Sequence, residues 1–461
     1  MKTTHTLWCL ALLALAPLSA SANSLLDIYE LALENDAQLE ADRAAYVAGQ
    51  ENRTLGRAGL LPQINARAFY TESEDDNFDN TANTSQVTER ERSGWSISLD
   101  QPLVNMAAWY QYKRGSTLSE LAEVQFGADQ QSLIVRVAEA YFNVLRAIDN
   151  LETARAEEKA LEQQLEQTSQ RYDVGLTAIT EVHEAQSVYD TAAAAALEAE
   201  GNLGIAYEAL EVLTGQPHDR IAPLADDFPV VPPQPADRHE WVEFALQNNY
   251  RLEVAQLNAR AASQSAKAAR SQHLPTLSAS AGYNDTQSEG DQYFGGDIGN
   301  ITSDSETQGH SFTISLDVPL FSGGRTSGQR RQAHAQYLQA RAEMNRTQRN
   351  VVQSTRSLHL SVQIGVSQVR ARQQAIVSAE SALEATQSGY EVGTRNLVEV
   401  LLAQRAVYQA QRDYYNALYD YVIDSFQLRE VAGMLTPADV QRIDGSLDVG
   451  DPVRRSELEG S

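Results

Sequence analysis

Cysteine is all but absent. The single one, Cys9, lies in the first 22 residues, so a chain processed after Ala22 carries no disulfide, no thiol chemistry and no lipid-modified N-terminal cysteine. Beyond that leading segment no run of about 18 apolar residues occurs, which excludes a spanning helix and leaves strands as the only way for the mature chain to cross a membrane. Catalytic and metal signatures are missing too: there is no HExxH, paired CxxC, GxSxG or GxxxxGKS/T pattern, and histidines 183, 218, 239, 273, 310, 334 and 359 are scattered without ligand spacing. Neither an enzyme nor a metal or cofactor site is expected. Phe321-Ser-Gly-Gly-Arg325 lacks the lysine of a phosphate loop and reads as a strand handing over to a helix. Basic residues are in deficit, 36 Lys and Arg against 62 Asp and Glu for a formal charge of −26, which argues against nucleic acid as a partner.

What is present begins with an address. Lys2, the apolar stretch Leu7 to Leu18 and Ala20-Ser21-Ala22 form a cleavable secretory signal over residues 1–22. Behind it the chain repeats itself. At an offset of 218 residues, Tyr172-Asp-Val-Gly-Leu-Thr-Ala-Ile-Thr-Glu-Val182 matches Tyr390-Glu-Val-Gly-Thr-Arg-Asn-Leu-Val-Glu-Val400 at five of eleven positions, and Ser98-Leu-Asp-Gln-Pro-Leu103 matches Ser315-Leu-Asp-Val-Pro-Leu320 at nearly the same offset. Two halves of one architecture follow, over residues 23–214 and 239–435, joined by a proline-rich linker at 215–238 and followed by a polar, flexible tail at 436–461.

Each half predicts two strands, at about 61–71 and 95–104 in the first and 274–284 and 310–320 in the second. Ile64, Ala66, Ala68 and Tyr70 alternate with polar neighbours, as do Phe312, Ile314, Leu316 and Val318. Runs of about ten residues suit a tilted membrane strand. The segments between them, Thr71 to Gly94 and Asn284 to Gly309, read as solvated loops; their acidic clusters lack the fixed spacing of a calcium-binding loop. After each strand pair comes a helical hairpin, about 106–213 with its tip near 175 and about 324–433 with its tip near 393. Leu133, Val137, Ala140, Val144, Ala147 and Leu151 open a coiled-coil seam in steps of four and three that runs on to Tyr172, broken at Glu158; a mate runs from Val351 to Tyr390, interrupted by Arg372. A helix from Met106 to Tyr172 would span on the order of 100 Å. Four strands cannot close a barrel, since the smallest have eight, and an open sheet edge cannot face lipid, so several chains must share one barrel.

The series Ala140-Tyr-Phe-Asn-Val-Leu145, Tyr172-Asp-Val-Gly175 with Ala178-Ile-Thr-Glu-Val182, Leu274-Pro-Thr-Leu277 and Gly389-Tyr-Glu-Val-Gly-Thr-Arg395 closely resembles the TolC family of outer-membrane efflux and secretion channels, from Leu25 to about Leu435. The resemblance implies a mixed, mainly α fold. Four strands per chain, twelve in a homotrimer, would form a transmembrane β-barrel in outer-membrane lipid, continued by a long coiled-coil α-helical tunnel in the periplasm. That tunnel would be closed at its inner end and opened when a periplasmic adaptor and an inner-membrane pump or exporter ATPase dock. It further implies that Gly175 and Gly393 are adaptor contacts at the hairpin tips, besides supplying the turn itself. By the same resemblance Arg395, Tyr390, Thr180 and Glu181 are polar links holding neighbouring hairpins shut, and Glu399 is the acidic residue of the constriction. A second acid is usual in the family one turn further on; here the residue is Leu402, which puts tight block by multivalent cations in doubt. The alternative from another class is an exported soluble coiled-coil scaffold, which explains the seams but not four alternating strands.

Overall fold

A computed structural model describes residues 23–79, 84–225, 227–294 and 301–455; the processing site after Ala22 and the loop tips at 80–83 and 295–300 lie outside them. The described residues form two compact units. One consists of residues 40–130 and 242–354, the other of residues 23–39, 131–241 and 355–455.

The first unit carries a four-stranded antiparallel sheet of β1 (Gln63–Asp79), β2 (Thr84–Val104), β4 (Thr276–Phe294) and β5 (Ile301–Asp317), in the order β1-β2-β4-β5. Its register places Ala66 opposite Ile97, Ile97 opposite Tyr283, and Ala281 opposite Phe312. The alternating apolar positions of all four strands therefore share one face, on which Ile64, Phe312, Ile314 and Leu316 are all more than 60% exposed. On the opposite face Gly94 lets β2 and β4 approach, since a Cβ would stand 2.5 Å from the Asp285 carbonyl oxygen. Strands β1 and β5 are the unpaired edges.

The strands are longer than their alternation predicts. Much of the expected loop from Thr71 to Gly94 continues the ladder, with Thr71 paired to Arg92 and Asp79 to Thr84, and the β4–β5 ladder likewise reaches Gln292 and Ile301. Backbone hydrogen bonding extends the pairing beyond the apolar band, and a strand polar on both faces leaves no period-two signal.

Helices α2 (Ala37–Ala58), α3 (Met106–Asp173), α5 (Arg238–Asn248), α6 (Tyr250–Ser271) and α7 (Arg325–Glu391) all contribute to this unit. The second unit takes the remainder of α3 and α7 together with α1 (Leu25–Asn35), α4 (Ile179–Thr214) and α8 (Leu397–Val431). Its core follows the predicted seam, with Leu133, Val137, Val144, Leu151 and Leu161 of α3 almost fully buried. Tyr172, at the seam's end, is 43% exposed. In α7 the mate seam buries Val351, Val362 and Val369.

The linker holds β3 (Arg220–Ile221) and lies against α8, where the Tyr421 hydroxyl donates to the Val231 carbonyl (2.8 Å) and accepts from the Val231 N–H (3.1 Å). Over residues 436–455 the segment expected as a polar, flexible tail carries regular structure. Thr436 and Asp439 form a capping box that starts α9 (Pro437–Asp444), with proline in the first turn, and β6 (Val453–Arg454) pairs with β3. Asp439 is buried between Arg429 (3.0 Å) and Arg442, and Asp444 accepts from the Leu26 N–H at 2.9 Å. These ion pairs fix a segment whose polar composition alone suggests mobility.

Candidate gate at the hairpin tips

Both tips lie in the second unit and close in the same way. At the end of α3 the Gly175 N–H donates to the Tyr172 carbonyl (2.9 Å) and the Leu176 N–H to the Arg171 carbonyl (2.8 Å); at the end of α7 Gly393 donates to Tyr390 (3.0 Å) and Thr394 to Gly389 (2.8 Å). Each is a Schellman closure, which satisfies the last helical carbonyls by turning one residue left-handed. Gly175 and Gly393 take that conformation at φ 76° and 78°, where any side chain would be strained. Neither has another atom within 4 Å of its Cβ position. Three of the four residues flanking them are apolar and exposed: Val174, Leu176 and Val392 are about 70% exposed or more.

Behind the tips Leu161, Ala185, Ala192, Leu397 and Leu401 are buried together, with Leu165, Val188, Tyr189 and Tyr390 packed against them. Tyr390 belongs to this cluster on one side and to the polar tip on the other. The Arg171 guanidinium lies 5.1 Å from its ring centroid, a cation–π contact. Its hydroxyl is buried without a hydrogen-bond partner among the described residues. Burial pushes the phenol above its ordinary range, the Arg171 charge opposing and the Glu181 charge adding.

Each carboxylate is engaged by a residue of the turn that leads into its own helix. Glu181, in the first turn of α4, accepts from the Thr177 hydroxyl at 2.5 Å. Glu399, in the first turn of α8, is ion-paired to Arg395. The repeat offset maps Thr177 onto Arg395 and Glu181 onto Glu399, so the two hairpins carry one device with different donors. Acids in a first turn also favour the helix dipole. Asn396 caps α8 by accepting the Glu399 N–H at 3.0 Å. Gly389 makes room for the pair: a Cβ there would stand 2.6 Å from Arg395 Cγ.

The structure thus brings Tyr390 to the cluster behind the tips and Arg395 to Glu399; within one chain Arg395 is committed to Glu399 and Glu181 to Thr177. Thr180 is exposed, and Leu402 is 57% exposed. Sequence reasoning missed Arg171, Thr177, Asn396 and Gly389. Two had legible signals: Asn396 stands three residues before an acid, as a helix cap does, and Arg171 is a cation in a last helical turn.

A further polar site lies deeper in the same unit. The Tyr419 hydroxyl donates to Asp149 Oδ2 at 2.5 Å, and burial raises the Asp149 carboxyl to about 7.

Comparison with known proteins points one way. The family model for outer membrane efflux proteins matches residues 28–216 and 241–434, one segment in each half of the repeat. The chain is similar to the outer membrane protein TolC of Vibrio cholerae, 38% identical over 95% of this chain and 97% of that one. It is also similar to the alkaline protease secretion protein AprF of Pseudomonas aeruginosa, 31% identical over 97% and 92%. Among solved structures, the outer membrane protein VceC of Vibrio cholerae shares the fold with a TM-score of 0.71 at 22% identity, covering 89% of this chain and 96% of that one.

Proposed function

This chain belongs to the outer membrane efflux protein family, and we propose that three copies of it form the exit duct of a tripartite efflux pump or type I secretion system. The duct resides in the outer membrane, with its helical hairpins in the periplasm. It conducts substrates passively, gated at the hairpin tips, where a periplasmic adaptor and an inner-membrane pump or exporter ATPase engage. The soluble-scaffold alternative is not favoured by the relatives, which include an outer membrane efflux protein and a protease secretion protein.

The observation that carries the reading is the sheet. Its four strands expose one continuous apolar face and leave β1 and β5 unpaired, so lipid exposure demands closure with sister chains. An even strand number per chain lets β5 meet the next chain's β1 antiparallel. Two chains would give eight strands, whose interior side chains fill it; three give twelve and a bore. The helices agree. On α4, Leu197, Ile205 and Val212 are exposed at spacings of eight and seven residues, and on α7 Leu360 and Ile364 are exposed. These are unpartnered stripes of the kind that helices of adjacent subunits bury against each other.

At the tips, Gly175 and Gly393 with their exposed apolar neighbours serve as adaptor contacts. Arg395, Tyr390, Thr180 and Glu181 link neighbouring hairpins in the closed state, and Glu399 with Leu402 lines the constriction. Native mass measurement of the purified protein should give three chains, and the same preparation should insert channels into planar bilayers. A single water-soluble subunit that never conducts would overturn the reading.

A further inference from the structure

We propose that the side of the four-stranded sheet turned away from its apolar face is an anion-favouring lining of the barrel bore, with Arg67, Arg90 and Arg92 setting which ions pass; this rests on the channel reading above. Successive strand residues point to opposite faces, so the register that gathers the apolar side chains on one side gathers their chain neighbours on the other. In the five rows from Asn65 to Ser73 that second face has twenty positions. They hold three arginines, one phenylalanine and otherwise only serine, threonine, asparagine and glycine. Arg67 stands opposite Ser96, Arg92 opposite Thr71 and Arg90 opposite Ser73. The five interleaved rows on the apolar side, from Ala66 to Glu74, hold nine carboxylates, with Glu72, Glu91, Glu289 and Asp304 in a single row. Charge is thus sorted by face, where a merely solvated sheet would mix it.

The apolar band decides which face is inside. Arg67 lies between Ala66 and Ala68, level with Ile97 and Trp95 of that band. A guanidinium aimed at hydrocarbon from there would be costly, and one aimed at a water-filled bore is not. The acids on the far side of the sheet cannot neutralise the arginines, and among the described residues none of the three has a carboxylate partner. Arg92 lies over the Phe69 ring, 5.8 Å from its centroid, a contact that orients the side chain without cancelling its charge.

At about 3.3 Å per strand residue the three arginine rows cover roughly 20 Å of strand. Their neighbours on that face are too short to shield them. Three arginines per chain, repeated around three chains, would surround one passage with fixed positive charge, which enriches anions and depletes cations beside it. The reach of that field is about 10 Å at 0.1 M salt and about 3 Å at 1 M. The constriction at Glu399 bears the opposite sign, so an ion would meet two charge filters in series.

The test is the reversal potential of the full-length protein in planar bilayers of zwitterionic lipid, under a tenfold KCl gradient at low salt. R67Q/R90Q/R92Q should lower the chloride-to-potassium permeability ratio at least twofold, and the difference should fade at about 1 M salt. E72Q/E89Q/E91Q, which removes three charges from the opposite face of the same ladder, should leave the ratio unchanged. No change in R67Q/R90Q/R92Q, or an equally large change in E72Q/E89Q/E91Q, would overturn the assignment. Were the triple arginine variant to fail to assemble, thiol access gives a second reading, because a chain processed after Ala22 has no cysteine of its own. Ser96→Cys, opposite Arg67, should favour an anionic over a cationic methanethiosulfonate at least threefold relative to a free thiol in solution, and R67Q added to it should remove that preference. A thiol without the preference, or one that keeps it in R67Q, would equally overturn the lining. Wild-type conductance separates the two claims: a conducting protein whose selectivity ignores the arginines sinks the lining alone, and one that never conducts sinks the channel.

Discussion

Asp149→Asn is expected to stabilise the folded protein at alkaline pH and to flatten its pH dependence. Asp149 lies in α3, with Oδ2 accepting from the Tyr419 hydroxyl at 2.5 Å. Burial raises its carboxyl from an ordinary 3.8 to about 7, the Tyr419 hydrogen bond opposing and the Glu152 charge adding. Between those two values the folded chain holds a proton that the unfolded chain has released. The stabilisation is therefore complete below about pH 4 and is lost as pH rises through 7, because stability falls with pH wherever the folded state binds more protons. About three pH units at ~1.36 kcal/mol each set an upper figure of about 4 kcal/mol per chain. An amide cannot ionise and keeps an acceptor for Tyr419. Thermal unfolding in detergent at pH 5 and pH 8 reads the effect: the wild type should lose several degrees more than Asp149→Asn across that interval. Tyr419→Phe, which removes the hydrogen bond that favours the carboxylate, should steepen the loss instead. An identical pH response in wild type and Asp149→Asn, or a less stable Asn variant at pH 8, would refute the reasoning.

Two predictions concern the gate. Arg395→Ser or Glu181→Ala should raise closed-state conductance in planar bilayers; with partly exposed pairs contributing roughly 0.5 kcal/mol per chain, three chains shift the open-to-closed ratio on the order of tenfold, and an unchanged conductance in both variants would dispose of the latch. Wild-type protein should be only weakly blocked by trivalent cations, because Arg395 neutralises Glu399 and Leu402 adds no charge; Glu399→Ala should abolish that block and Arg395→Ser should strengthen it, measured as the cation concentration that halves the current.

Much of this architecture could be read from the chain, for identifiable reasons. A seam that sets Leu133, Val137, Val144 and Leu151 in register over many turns is a long-range pattern with a local period, and burial follows it. The alternation from Phe312 to Leu316 is visible because one face meets an apolar medium. The outer stretches of the same strands, such as Thr71 to Asp76, are polar on both faces and gave no such signal, although the ladder runs through them. Asp149 was silent for a different reason. Its neighbours Ile148 and Leu151 mark a buried face, but the partner that shapes its chemistry is 270 residues away on α8.

The tips show most clearly where sequence stops and structure begins. The offset that pairs Glu181 with Glu399 also pairs Thr177 with Arg395, yet only the geometry shows that each donor reaches its own acid four residues on. A hydroxyl leaves the first carboxylate charged, and a guanidinium cancels the second. In a ring of three chains six equivalent acids would thus divide into three bare and three compensated, alternating between hairpins. The Schellman closures are the same in both, so the backbone keeps the repeat's symmetry while the side chains break it. That division assigns the hairpins unequal parts. On the function proposed above, those ending in Arg395 would hold a cation able to leave Glu399 for a neighbour's Glu181 as the ring closes, and one exchange of ion-pair partners would couple the constriction to the packing of adjacent chains.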